Sequence, residues 1–250
     1  MAKVLILGGT AEAGELAARL AGDDRLDTVT SLAGLTRMPT PVAGQVRRGG
    51  FGGPDGLAAT LSDESYDALI DATHPFAEQI AANAAEAAHR AGVRMIKLVR
   101  LPFERRDGDR FIDVPDMQAA CDRLPEGARV FLAAGRREIR LFAGRHDLWC
   151  LVRMIEPPVI GETMPRGEVV VGHPAKTAEE EIALLKAHDI GWIVSKDSGG
   201  KASAKIDAAR ALGLPVILVA RPQVPNVRTV TEIDEVIEWL EDILPPQAAT

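Results

Sequence analysis

The chain opens on an apolar run that ends in two glycines, Val4-Leu5-Ile6-Leu7-Gly8-Gly9-Thr10-Ala11-Glu12-Ala13, and a helical pattern at Glu12, Leu16, Ala17 and Leu20 follows at once. A strand, a tight turn and a helix N-terminus in that order form the first half of a dinucleotide-binding βαβ unit. Glycine lets the backbone approach a pyrophosphate closely, and the first N–H groups of the helix face the anion. The spacing Gly8-x-Thr10-x-x-Ala13 puts Thr where the fingerprint has its second glycine. A plain strand-to-helix turn therefore stays open as the alternative.

The same alternation continues. Strand-like runs at 27–33, 45–48, 67–72 and 94–99 are separated by helix-like runs at 12–22, 55–62 and 77–91. That alternation predicts a parallel, doubly wound sheet. The charged, turn-rich stretch from Arg100 to Arg110 interrupts it and reads as a linker. A second alternation follows, with strands expected at 129–134, 148–155, 168–172, 190–196 and 215–220 and helices at 115–124, 136–143, 177–188, 202–212 and 231–243. The expected architecture is α/β, two Rossmann-like doubly wound parallel-sheet domains in series with a cleft between them. The first covers residues 1–103 and the second 104–250.

Length and charge narrow the function. The 250 residues suit one large or two small domains at roughly 100–200 residues each. No uncharged apolar run approaches the ~18 residues of a membrane span, and no signal-peptide pattern precedes the first strand. A cytoplasmic location is expected. The net charge of −7 disfavours nucleic acid and anionic membranes as partners. Cys121 and Cys150 have neither metal nor redox spacing and read as buried thiols in a reducing compartment. Positive charge is clustered even so, at Arg94, Lys97, Arg100, Arg105, Arg106 and Arg110 and again at Arg136, Arg137, Arg140 and Arg145. Such clusters are either solvated faces or contacts to an anionic small molecule.

In an open parallel sheet, ligands bind at the carboxyl ends of the strands. After the first strand stand Gly9, Thr10, Ala11 and Glu12. After the second come Ser31, Leu32, Ala33, Gly34 and, shortly beyond, Arg37. An NAD site usually has an acid here for the ribose 2′-OH. A small Ser with a nearby Arg instead suits a 2′-phosphate and points to NADPH. Arg48-Gly49-Gly50-Phe51-Gly52-Gly53 follows the third strand, as a turn or as a wall of the nucleotide site. Asp71-Ala72-Thr73-His74-Pro75-Phe76-Ala77 follows the fourth, with Pro75 suited to the first turn of the next helix. Thr73 and His74 stand where a nicotinamide ring would lie. His74 is either a structural hydrogen-bonder or a proton carrier. In the second half, Ser195-Lys196-Asp197-Ser198-Gly199-Gly200-Lys201 offers an anion-binding concavity, and the final strand ends in Ala220-Arg221-Pro222.

Five segments together resemble the precorrin-6A reductase family of corrin ring biosynthesis. They are Leu5 to Ala13, Gly50-Phe51-Gly52-Gly53, Asp71 to Ala77, Lys196-Asp197-Ser198-Gly199-Gly200 and Val219-Ala220-Arg221-Pro222, in family order over nearly the whole chain. Two positions depart from the family pattern: Asp197 replaces Asn, and Phe103 replaces the Trp after Arg-x-Pro. The resemblance implies a cytoplasmic reductase that moves hydride from NADPH to an anionic, ring-contracted tetrapyrrole, precorrin-6A, with a proton going to the neighbouring carbon. It implies cofactor contacts from Gly9, Thr10, Ala11, Glu12, Ser31, Ala33, Gly34, Arg37, Gly50, Phe51, Gly52, Thr73, His74 and Pro75. Substrate carboxylates would meet Arg100, Arg136, Lys196, Ser198, Gly199, Gly200, Lys201 and Arg221. His74, Lys196 or water would supply the proton. No metal is expected, and a monomer is expected.

Three rivals can be weighed. A short-chain dehydrogenase needs Tyr-x-x-x-Lys, but the only tyrosine is Tyr66 and position 70 is Ile. A cobalt-precorrin-6A reductase using NADH would share the pattern. A non-catalytic NADPH sensor would keep the first domain without needing anion-binding loops in the second.

Overall fold

A computed structural model describes residues 1–33, 42–200 and 203–244 of the chain. It begins as the sequence reading expects: β1 (Ala2–Leu7), α1 (Ala11–Leu20), β2 (Leu26–Leu32), β3 (Gln45–Arg48), α2 (Gly53–Asp63), β4 (Ala68–Asp71), α3 (Glu78–Ala91) and β5 (Arg94–Leu98). A second set follows: β6 (Phe111–Val114), α4 (Met117–Arg123), β7 (Arg129–Ala133), α5 (Arg136–Ile139) running into a 3-10 turn at Arg140–Gly144, β8 (Trp149–Met154), β9 (Gly167–Val171), α6 (Ala178–Ala187), β10 (Trp192–Lys196), α7 (Ala204–Leu212) and β11 (Val216–Val219). The chain ends with β12 (Arg228–Val230) and α8 (Ile233–Glu241).

Both expected sheets form, each of six strands. The first has the order β12-β5-β4-β1-β2-β3 and the second β6-β11-β10-β7-β8-β9. Every ladder is parallel. The first order is that of a dinucleotide-binding sheet, reversing direction between β1 and β4.

Two expectations about the chain path are corrected. The second domain does not run to residue 250. One compact unit comprises Met1–Arg100 and Pro222–Thr250, and the other comprises Leu101–Arg221. β12 pairs with β5, joining Val230 to Leu98, and so completes the first sheet. A strand that was not expected also forms directly after the stretch read as a linker, where β6 pairs with β11 over Phe111–Val114. Both strands are three or four residues long and lie at sheet edges. Their apolar content is too brief to stand out beside charged turns.

In the first unit, alternate residues of one strand serve opposite faces, as the two-residue period of a strand requires. Val4 and Ile6 join Leu16, Ile70, Ile96, Val236 and Trp239 beneath α1 and α8. Leu5 and Leu7 join Leu57, Leu61, Leu69 and Ala84 beneath α2 and α3. In the second unit, Phe131, Leu151, Ile193, Val216 and Leu218 pack with Leu185 of α6 and Ile206 and Ala209 of α7. On this sheet α4 lies against β6 and β11. No helix among the described residues is long and apolar enough to cross a membrane.

Trp239 is 6% exposed and belongs to the core of the first unit. Trp239→Ala is expected to destabilise that unit by about 3–5 kcal/mol, read from chemical denaturation. The cysteines give a second check. Burial pushes the Cys150 thiol up to about 12 and also raises that of Cys121. A disulfide exchange reagent at pH 8 is therefore expected to label neither cysteine in the native protein and both once denaturant is added.

Candidate active site

The glycine turn after β1 is built for close approach. The Gly8 N–H donates to the Ser31 carbonyl at 2.9 Å. A Cβ at Gly8 would stand 2.9 Å from the Thr30 side chain, so no larger residue fits without a shift. Gly9 adopts φ +106, and an added Cβ there would meet no heavy atom within 4 Å. This leaves open space in front of the N-terminus of α1. Thr10, in the place of the second fingerprint glycine, is the N-cap. Its hydroxyl accepts from the Ala13 N–H at 3.1 Å and donates to the Ala72 carbonyl at 2.8 Å. The residue thus ties α1 to the end of β4, and its oxygen already has two protein partners.

Glu12 lies in the first turn of α1, where a carboxylate favours the helix dipole but opposes an anionic ligand. Arg100, expected among the substrate contacts, stands beside it. Arg100 Nη2 and Nε lie 2.6 and 2.8 Å from Glu12 Oε2. Ser31 is buried at the end of β2 and Ala33 is exposed. Gly34 and Arg37 lie outside the described residues. No acid follows β2 through Ala33.

The Gly50-Phe51-Gly52 loop is a defined turn. Gly49, Gly52 and Gly53 all have φ between 82° and 103°. The Phe51 carbonyl sits where a Cβ at Gly56 would be, 1.8 Å away. The Arg47 guanidinium covers the Phe51 ring at 3.9 Å and donates to the carbonyls of Gly49 and Gly50. Arg47 and Gly56 were not singled out from the sequence, although a glycine inside a helix pattern was a visible signal.

After β4, Thr73 is buried against Asp71, and His74 and Pro75 are half-buried. Pro75 lies in a turn before α3, which starts at Glu78, because the Ala77 N–H closes that turn on the His74 carbonyl at 2.8 Å. It is therefore not in the first helical turn as expected. His74 Nδ1 accepts from the Phe76 N–H at 3.2 Å, which leaves the proton of the neutral ring on Nε2.

In the second unit the strand order reverses between β7 and β10, and the charged candidates gather at their carboxyl ends. Lys196 Nζ lies 2.7 Å from Glu138 Oε1. Glu138 Oε2 accepts from the Gly135 N–H at 2.9 Å, fixing the carboxylate at the start of α5. Arg136 is used differently. It pairs with Glu162 at 2.5 Å and donates to the carbonyls of Glu156 and Pro157, holding the loop after β8. Neither Glu138 nor Glu162 could be found from the sequence, since nothing local marks a carboxylate as the partner of a distant cation.

The Lys196–Gly200 loop is closely packed. Gly199, buried with φ +58, would place a Cβ 1.8 Å from the Leu101 carbonyl and 2.5 Å from Arg221 Nη2. Arg221 donates from Nε to the Asp197 carbonyl at 2.6 Å and from Nη2 to the Leu101 carbonyl at 2.9 Å. Asp197 Oδ1 accepts from the Phe103 N–H at 2.9 Å. An Asn side-chain oxygen can accept the same bond, so this contact does not distinguish Asp197 from the amide of the family pattern. Ser198 is half-buried and Gly200 exposed. Lys201 lies outside the described residues.

The expected cofactor residues that are described thus share the carboxyl edge of the first sheet, together with Arg100. Arg136, Lys196, Ser198, Gly199, Gly200 and Arg221 belong to the second unit.

Comparison with known proteins gives a consistent result. A family profile described as precorrin-6x reductase CbiJ/CobK matches residues 3–241. The precorrin-6A reductase of Rhodococcus erythropolis is 43% identical over 243 residues, covering 96% of this chain and 98% of its own. That of Rhodobacter capsulatus is 41% identical, with 97% of each covered. The cobalt-precorrin-6A reductase of Methanothermobacter thermautotrophicus is 30% identical, with 88% of this chain and 77% of its own covered. A solved structure described as CobK precorrin-6A reductase superposes with a TM-score of 0.92 at 40% identity over the whole of both chains.

Because the Thr10 hydroxyl caps α1 and ties it to Ala72, Thr10→Val is expected to cost about 1–2 kcal/mol of stability, measured by urea unfolding. Thr10→Ser keeps the hydroxyl and is expected to cost less.

Proposed function

The chain belongs to the precorrin-6x reductase CbiJ/CobK family, and we propose that it is the oxidoreductase that reduces precorrin-6A with NADPH in cobalamin biosynthesis, in the cytoplasm. The observation that carries this reading is identity of 41–43% to precorrin-6A reductases across nearly the full length of both chains. Identity to the cobalt-precorrin relative is lower, at 30%, which favours the cobalt-free substrate.

NADPH supplies a hydride to one carbon of a conjugated C=C bond; with a proton on the neighbouring carbon, the macrocycle gains two hydrogens and NADP⁺ is released. The chain's contribution is binding and orientation. The open turn at Gly8-Gly9 and the first amides of α1 suit the diphosphate. The Arg100–Glu12 pair offsets the Glu12 carboxylate, which would otherwise repel it. The end of β2 offers Ser31 and no acid, which fits a 2′-phosphate held with Arg37. Thr73 and His74, on the β4 side of the switch point, face the nicotinamide end of such a dinucleotide. With Nδ1 accepting from the Phe76 N–H, the neutral His74 ring presents its Nε2–H as a hydrogen-bond donor there; as the proton source the ring would act from its imidazolium form.

Lys196, Ser198–Gly200 and Arg221 supply donors for the substrate's acetate and propionate carboxylates. The Lys196 ammonium is held ready by Glu138, so a carboxylate binding there shares or displaces that partner. A proton from Lys196 or from water remains the alternative to His74.

The test is a single turnover of the purified protein with precorrin-6A and NADPH or NADH, followed by nicotinamide absorbance and product mass. NADPH consumption with a gain of two hydrogens is expected, with NADH slower. NADPH binding without turnover would reject the reading in favour of a sensor or the cobalt-bearing substrate. Arg37→Ala is expected to weaken NADPH binding by roughly tenfold to 100-fold, as for a lost bond to a charged group, while changing NADH binding little. Lys196→Ala is expected to raise the KM for precorrin-6A; an unchanged KM and kcat would remove Lys196 from the site.

A further inference from the structure

Asp71 and Lys97 are register partners on β4 and β5. Both are sealed from solvent, at 0% and 3% exposure. Lys97 Nζ donates to Asp71 Oδ2 at 2.5 Å. The other carboxylate oxygen, Oδ1, accepts from the Thr73 backbone N–H at 3.0 Å and from the Thr73 hydroxyl at 2.6 Å.

The sheet itself does not require charge at this place. One residue earlier on the same two strands, Ile70 and Ile96 are register partners and both 0% exposed. An apolar pair of similar volume is often as stable as a buried ion pair, or more so, because the ions lose their hydration. What an apolar pair cannot do is accept hydrogen bonds. Without the carboxylate, the Thr73 N–H and hydroxyl lose their acceptor and the loop must repack.

That loop leads directly to His74. Lys97 holds Oδ2, which turns Oδ1 toward Thr73. The residue between is held as well: the Ala72 N–H donates to the Leu7 carbonyl at 3.0 Å, and the Ala72 carbonyl accepts from Thr10 Oγ1. Ala72 and Thr73 are therefore fixed by two separate sets of bonds at the switch point of the sheet. We propose that Asp71 and Lys97 form a positioning pair for hydride transfer, setting the Thr73–His74 backbone against which the nicotinamide end of the dinucleotide rests. This rests on the reading of the chain as an NADPH-dependent reductase. Misplacement of a reacting centre by about 1 Å costs on the order of 100-fold in rate, so such a loop repays a rigid anchor.

The experiment compares wild type, Asp71→Leu/Lys97→Met, Asp71→Asn/Lys97→Met and Thr73→Val as full-length proteins. Four quantities are read: the thermal midpoint, amide hydrogen exchange of the peptide covering residues 72–76, the Kd for NADPH, and the single-turnover rate with precorrin-6A using NADPH or its 4-deuterated form. The apolar double variant is expected to keep a cooperative transition near the wild-type midpoint and to bind NADPH within about threefold of wild type. Its 72–76 peptide exchanges at least tenfold faster, and hydride transfer slows by about 100-fold with a primary isotope effect. The Asn/Met variant keeps an acceptor for the Thr73 N–H and is expected to recover at least tenfold of that loss. Thr73→Val keeps the ion pair and the fold and is expected to slow transfer by about tenfold.

Wild-type exchange in the apolar double variant would overturn the proposal. So would a transfer rate within threefold of wild type in that variant or, should it fail to fold, in Thr73→Val. If wild type itself fails to oxidise NADPH with precorrin-6A, the functional reading fails, a result separate from any difference among the variants in exchange.

Discussion

Every strand pair in the two sheets is parallel, and a parallel strand cannot be reached from its neighbour by a tight turn. The chain must cross back over a face of the sheet first, and helices do this work. Each crossing buries a face, which is why Val4 to Leu7 of β1 and all of β4 are buried on both sides. Each crossing also returns the chain to the same starting edge, so all carboxyl ends of a sheet share the opposite edge. The glycine turns, the N-terminus of α1 and the Asp71–Pro75 loop are neighbours for that reason, not because any motif recruits another.

Charge at those edges is arranged inside the protein before any ligand arrives. Lys196 carries a flexible four-carbon stem whose rotamers cost entropy to fix. Glu138 fixes it, and the Gly135 N–H fixes Glu138. Arg136 is committed to Glu162 and two loop carbonyls. In an acidic chain, basic residues gathered at strand ends need local carboxylate partners to keep one geometry, and a pre-set geometry lowers the cost of binding. Of the three arginines expected to act alike, the two in the second unit do different things: Arg136 shapes a loop, while Arg221 holds the Lys196–Gly200 segment against Leu101.

The sequence was most legible where one local rule governs a residue. The long apolar strands, the alanine-rich α3 and the glycine turn after β1 could all be read from neighbours in the chain. Gly8 and Gly199 could be marked as special, but only packing shows what each makes room for: Thr30 in one case, the Leu101 carbonyl and Arg221 in the other. The misses have a different cause. β6 and β12 are short edge strands whose pairing energy comes from residues more than 100 positions away. Lys97 was read with a charged cluster because its neighbours Arg94 and Arg100 are basic, yet it is sealed within the sheet beside Asp71. Burial of a charge is decided by the partner strand, and no local pattern announces it.

The chain path through the two units follows from the same rule about edges. The second unit is inserted between the fifth and sixth strands of the first sheet, so the chain must leave after β5 and re-enter before β12. Closing so long an interruption costs little if its two ends are already held together, since loop entropy grows only slowly with length. The inserted unit meets that condition by itself. Its first residue, Leu101, accepts a hydrogen bond from its last, Arg221, at 2.9 Å. Gly199 lies against both, where any side chain would collide. The segment Lys196–Gly200 thus does two jobs in the second unit: it presents Lys196 and Ser198 at the carboxyl edge, and it holds the exit and return of the chain side by side. Glycine at 199 is required by the second job as much as by the first. A sheet whose last strand arrives late in the sequence can then be completed as readily as one built from consecutive residues.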